Sequence, residues 1–261
     1  MELFFREYGQ GQDFIILHGL FGLSDNWVTI ARRIGEQFRV FVPDMRNHGQ
    51  SPHHPVHSYP AMVADIEAFI TSRVIRQPVV MGHSMGGKVA MQLALSNPEL
   101  ISRLIVLDIS YREYNLRQQH LHMLEAMTSL DLTAVKNRRE AEEHVAARIH
   151  ERRLQQFVLK NLFRNGQVFS WRPNLTALEA NLDLMAAGIG LQDTYPAPSL
   201  FIRGSDSDYL PDEDIPVIRK SFPAAQFQTI SGAGHWLHAD APLALCRHIR
   251  EFTGKECEFE G

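Results

Sequence analysis

The stretch Pro78-Val79-Val80-Met81-Gly82-His83-Ser84-Met85-Gly86-Gly87-Lys88 carries the reading of this chain. Pro78–Met81 is a short apolar run of the kind that forms a strand buried on both faces. After Lys88, Val89 and Leu93 fall on one side of a helix running to Leu95. Between strand and helix lies G-x-S-x-G, residues 82–86. The pattern by itself is weak, because it occurs by chance, and a glycine-rich turn can simply connect two elements. Its strand-to-helix setting is the stronger signal. A turn this tight needs small flanking residues, which Gly82 and Gly86 supply. It lifts the Ser84 hydroxyl above the sheet, at a helix N-terminus that favours developing negative charge. Ser84 is therefore read as a nucleophile.

Outward from this turn, short apolar runs alternate with helical patterns. Phe14–Leu17, Phe38–Val42, Pro78–Met81, Leu104–Leu107, Leu200–Ile202 and Phe227–Ile230 read as strands. Trp27, Ile30 and Ile34 share a helical face, as do Met62, Ile66, Phe69 and Ile70, with Ser58 as N-cap. Leu245, Ile249 and Phe252 mark a last helix. Such alternation predicts an α/β chain with a mostly parallel sheet flanked by helices. From about Tyr111 to Ala187 no strand is evident. Leu121, Leu124 and Met127 share a face; so do Leu154, Phe157, Val158 and Leu162; so do Leu175, Leu178, Leu182 and Met185. Thr176 and Glu179 suggest a capping box. The predicted organisation is a core of residues 1–110 and 188–261, with a helical cap, 111–187, inserted after the strand ending at Asp108. Such an insertion would sit beyond the strands' carboxyl ends, where sheet ligands bind.

Two further loops carry chemistry. His18-Gly19-Leu20-Phe21-Gly22 follows the strand 14–17. In folds built on this nucleophile turn, that loop gives one oxyanion-hole N–H and the residue after the nucleophile gives the other. Those amides are Leu20 and Met85, and His18 is read as a structural histidine bonding the loop. Gly232-Ala233-Gly234-His235-Trp236 follows the last strand. The chain has thirteen histidines, so position rather than residue type selects His235 as general base, with His238 as its neighbour and rival. The acid has two candidate sites. One is Gly204-Ser205-Asp206-Ser207-Asp208, where a G-x-x-D pattern would need an aspartate at 207 and finds Ser207 between Asp206 and Asp208. The other is Asp108, at the end of strand 104–107. Either acid could hold the imidazole tautomer and stabilise the imidazolium.

Composition narrows the alternatives. A 261-residue chain that is 44% hydrophobic and 21% charged has an ordinary globular makeup. A net charge of −4 carries no nucleic-acid signature. No apolar run is long enough for a membrane span, and Met1–Asp13 has neither the basic start nor the apolar core of a secretory signal. The two cysteines, Cys246 and Cys257, frame no disulfide scaffold. A cytoplasmic setting is expected. His53, His54 and His57 lack a carboxylate or thiolate completing a familiar zinc set, and read as surface loop. The basic residues of the insertion, Lys136, Arg138, Arg139, Arg148, Arg152 and Arg153, read as a solvated face paired with Glu140, Glu142, Glu143 and Glu151, although they could meet a coenzyme A phosphate. Lys88 is expected to face solvent or a neighbouring loop. No cofactor or metal is expected, and oligomeric state is not legible.

Together, HGLFG at 18–22, DMRNHGQS at 44–51, GHSMGGK at 82–88, VLDIS at 106–110 and GAGHWLH at 232–238 resemble the α/β-hydrolase superfamily over nearly the whole chain. Within it they are most similar to YbfF-type esterases and related mitochondrial abhydrolase-domain proteins. Asn47 is the discriminating residue, since much of the superfamily has glycine there. The resemblance implies the α/β-hydrolase fold. It implies Asp108 as the acid, because that subfamily places it before the cap and tends to lack the later one. It also implies a small-molecule acyl ester or thioester as substrate, cleaved by Ser84, Asp108 and His235 through an acyl-enzyme. Carbon–carbon bond hydrolysis by a similar constellation, or ligand binding without catalysis, are the competing functions. An intact serine, histidine and acid argue against the last.

Overall fold

In the computed structural model, which describes residues 1–114, 118–166 and 168–254, the alternating pattern resolves into a seven-stranded sheet. The strands of its first half are β1 (Phe5–Tyr8), β2 (Gln12–Leu17), β3 (Phe38–Pro43), β4 (Val79–His83) and β5 (Arg103–Leu107). The intervening helices are α1 (Val28–Ile34), α2 (Tyr59–Ser72) and α3 (Met85–Ser96). An insertion follows with α4 (Gln118–Thr128), α5 (Arg138–Ala146), α6 (Arg152–Leu159), β6 (Leu162–Asn165), β7 (Val168–Trp171), α7 (Leu175–Ala180) and α8 (Leu182–Ala186). The chain returns to the sheet through β8 (Ser199–Gly204), α9 (Ile215–Ser221), β9 (Ala225–Ile230), α10 (Leu237–Asp240) and α11 (Pro242–Thr253).

The order across the sheet is β1-β3-β2-β4-β5-β8-β9. Only β1 runs antiparallel, against β3; the other pairs are parallel. The apolar runs form the central strands because both faces are covered. Ile15, Leu17, Val80, Leu104 and Val106 pack on one side with α2 and α3. Phe14, Ile16, Met81, Ile105 and Leu107 pack on the other with α1 and α11. Burial of this kind contributes about 1.5–3 kcal/mol per large aliphatic side chain. Parallel pairing also places the loops after β2, β4, β5, β8 and β9 at one edge of the sheet. That edge is where α/β sheets bind ligands.

The insertion departs from its expected all-helical form. β6 and β7 are an antiparallel hairpin, so Leu162 begins a strand rather than continuing the α6 face. The periodicity misses it because each strand has only four residues, too short to show alternation. The face through Leu175, Leu178, Leu182 and Met185 is split between two short helices meeting at Asn181. Asn174, not Thr176, caps the first of them; its side-chain oxygen accepts from the Ala177 N–H at 3.3 Å. Ser58 stands at the N-cap of α2 without a side-chain capping bond. Leu124 and Met127 are buried, but Leu121 is exposed. The Arg138–Glu142 and Arg139–Glu143 pairs lie on the solvated face of α5, as expected. Cys246 is buried in α11, and Cys257 lies outside the described residues.

Candidate active site

Ser84 sits between β4 and α3 with φ 54° and ψ −119°. That left-handed backbone costs a non-glycine residue about 1–3 kcal/mol. The turn is held shut from both sides. A Cβ on Gly82 would lie 2.1 Å from the Gly86 oxygen, and one on Gly86 would lie 2.4 Å from the Leu17 oxygen. The Ser84 N–H donates to Leu107 on β5 at 3.1 Å. Met85 opens α3, so its N–H has no intrahelical acceptor.

Asp108 directly follows β5, also at positive φ (49°), and is fully buried. Its Oδ1 accepts the Gly204 N–H at 3.1 Å. Its Oδ2 accepts from His235 Nδ1 at 2.7 Å and from the Ser207 hydroxyl. His235 belongs to the loop after β9, two strand positions from β5. Two strand spacings are about 10 Å, so the loop must fold back over β8. Gly204 permits it, since a Cβ there would lie 2.2 Å from the Ala233 oxygen. Tyr209 stacks on the His235 ring with centroids 3.9 Å apart. His83 bonds the His235 carbonyl through Nε2 at 2.8 Å. With Nδ1 committed to Asp108, Nε2 is the nitrogen of His235 that remains for a substrate or Ser84. Ser84 and His235 line one cleft with Gly19 and Leu20.

The structure thus brings together Ser84, Asp108, His235, Leu20 and Met85. The Nδ1 of His235 goes to Asp108 rather than to Asp206 or Asp208. Ser207, at the vacant G-x-x-D position, faces the same carboxylate and donates to it instead of replacing it. Sequence reading noted only its missing acid. His83 and Tyr209 were likewise unassigned; their signal lies in the motif's variable positions and in a loop that only the fold brings near.

The Leu20 loop is braced by buried imidazoles. His18 Nε2 accepts the Met45 N–H at 2.9 Å, and His48 Nε2 accepts the Phe21 N–H at 3.0 Å. Both rings must then be neutral at Nε2, and burial pulls His18 down to about 4 and His48 to about 3. His18 is structural, as read. His57 is a correction: it is fully buried beside His48, not on the surface, while His53 and His54 are exposed. Asp44 fixes the same segment by accepting the Ser24 N–H at 2.6 Å and the Gln50 N–H at 2.8 Å. Asn47 lies at φ 65°, a conformation that favours glycine and, after it, asparagine. Its side-chain oxygen accepts from His54 N and from Asn174 of the insertion, at 2.7 and 3.1 Å, bonds a glycine could not make. Among the described residues no group of three or more His, Cys, Asp or Glu side chains could hold a metal ion. No helix among them is long and apolar enough to cross a membrane.

The family model for the alpha/beta hydrolase fold matches residues 14–242. The chain belongs to the α/β-hydrolase family. Its relatives within that family include esterase- and lipase-type proteins. The sn-1-specific diacylglycerol lipase ABHD11 of Danio rerio is 37% identical over 250 residues, covering 94% of this chain and 79% of that protein. Esterase YbfF of Escherichia coli is 33% identical over 240 residues, covering 91% of each. Among solved structures, a marine microorganism esterase superposes with a TM-score of 0.93 at 39% identity, covering 96% of this chain and 99% of its own. This α/β-hydrolase therefore shares both the sheet and its insertion with an esterase.

Proposed function

We propose that this α/β-hydrolase cleaves carboxylic esters or acyl thioesters through an acyl-enzyme on Ser84. The observation that carries the reading is the His235 Nδ1–Asp108 bond at 2.7 Å beside a serine held at a strained turn. His235 Nε2 takes the Ser84 proton as Oγ attacks the acyl carbonyl, and Asp108 stabilises the imidazolium. The Leu20 and Met85 N–H groups receive the oxyanion. His235 then protonates the leaving alcohol or thiol, and water, deprotonated by His235, releases the acid. The esterase and lipase relatives support an acyl ester as substrate class. Residues 111–187 act as a cap, supported by Met123 and Phe157, which line the cleft with Ser84. A cytoplasmic setting accords with the buried free thiol of Cys246.

Hydrolysis of p-nitrophenyl butyrate by the wild type and by Ser84→Ala tests this. The expected result is turnover that falls at least about 10³-fold in the variant. Folded wild-type protein without turnover, or a variant that keeps it, overturns the reading.

A further inference from the structure

Lys88 lies four residues beyond Ser84, one turn along α3. Of the two positions expected for it, facing solvent or a neighbouring loop, it takes the second and is only 1% exposed. Its Nζ donates to the Arg112 carbonyl at 2.8 Å and the Ala187 carbonyl at 2.6 Å. These are the two chain crossings between core and insertion. The ammonium also lies 5.4 and 4.8 Å from the ring centroids of Tyr59 and Tyr114. Among the described residues no carboxylate forms an ion pair with it.

Lys88, Tyr59 and Tyr114 line a pocket that begins at Ser84 and Met85 and has Ile109 and Met185 on its apolar walls. The pocket is small, with room for only a short acyl group. Burying an ammonium costs several kcal/mol, which the charge of Glu113, acting without direct contact, and the carbonyls and ring faces offset only in part. Burial pulls Lys88 down to about 8, so it remains an ammonium at pH 7. Two carbonyl bonds leave the third N–H of an ammonium unused. A neutral amide side chain could tether the two crossings without the charge.

We propose that this pocket takes an acyl group ending in a carboxylate, which pairs with the Lys88 ammonium while the scissile carbonyl lies at Ser84. The inference rests on the esterase reading and names its substrate class, the hemiesters of short dicarboxylic acids. Both groups line the one small pocket, so the chain between the scissile carbonyl and the carboxylate is short.

The test compares kcat/KM for monoethyl glutarate and ethyl hexanoate, with wild type, Lys88→Met and Ser84→Ala. The expected hemiester-to-neutral ratio is above about tenfold in the wild type and falls at least about tenfold in Lys88→Met, the loss of about 1.4 kcal/mol of discrimination. A wild type that prefers the neutral ester, or a ratio unchanged in Lys88→Met, overturns the proposal. Should Lys88→Met not fold, competition in the wild type decides: glutarate must inhibit neutral-ester hydrolysis more strongly than hexanoate does, and the reverse order overturns the proposal. Ser84-dependent hydrolysis of the neutral ester alone sinks the dicarboxylate inference and leaves the esterase reading standing. No Ser84-dependent turnover of either ester sinks both.

Discussion

The two walls of the cleft are built differently. The core wall is made of loops at the ends of buried parallel strands, and its key groups are held by neighbours. Asp108 accepts from Gly204, Ser207 and His235, and His18 and His48 hold the Leu20 loop. The insertion wall is made of short helices and a four-residue-strand hairpin. Its polar ties to the core include Asn161 Nδ2 to the Phe21 carbonyl at 2.8 Å, the Tyr59 hydroxyl to the Met185 carbonyl at 2.8 Å, Asn181 Nδ2 to the Pro55 carbonyl at 2.9 Å, the Asn47–Asn174 bond, the Arg112 ion pairs with Glu213 and Asp214, and the Lys88 ammonium. The rigid wall suits bond-making, where small displacements of reacting groups are costly. The wall of short elements, which brings Met123 and Phe157 to the cleft, suits selection among acyl groups.

The largest expected break in this comparison is at the core wall. Asp108→Asn should lower kcat for p-nitrophenyl butyrate by about 10³–10⁴-fold, because an amide there stabilises the wrong His235 tautomer. Asp206→Asn should change it less than about threefold. The reverse order would move the acid to the loop after β8.

Acid should loosen the core wall next. His18, His48 and His238 are pulled from 6.5 to about 4, 3 and 3 by burial. Below pH 6.5 the unfolded chain takes up protons that these native rings refuse, so unfolding is favoured as pH falls from 6.5 toward 4. Each ring contributes a slope of up to about 1.4 kcal/mol per pH unit. Urea midpoints measured from pH 7 to pH 5 should fall accordingly. A flat profile would mean the rings protonate in place.

The smallest effect belongs to the insertion wall. Phe157 packs on Trp236 with centroids 4.7 Å apart at the mouth of the cleft. Phe157→Ala should shift the ratio of kcat/KM between butyrate and octanoate esters by about 3–10-fold, at or just below the discrimination of one methylene in an apolar pocket. It should leave the urea midpoint close to wild type, since the side chain is only half-buried. An unchanged ratio would remove Phe157 from substrate selection.

Much of this site was readable in the sequence because its parts are local. A glycine turn after an apolar run places Ser84, the strand order places Leu20 and His235, and a burial pattern of period two or 3.6 marks the sheet and its helices. The edge strand Phe5–Tyr8 escaped because it is only partly buried, and the hairpin escaped because it is short. Between Asp108 and the Asp206–Asp208 loop, residue spacing left the acid open and only resemblance chose.

What the sequence by itself determined is the α/β alternation, the tight turn at Ser84 and the position of the insertion, all of which follow from periodicity and from glycines that close approach demands. The tertiary structure decided which carboxylate bonds His235, that Ser207 supports it, that His57 is interior, and that Lys88 is buried in the pocket it shares with Ser84. Those outcomes depend on groups up to 127 residues apart in the chain, brought together by the parallel sheet, and no local pattern encodes such a meeting.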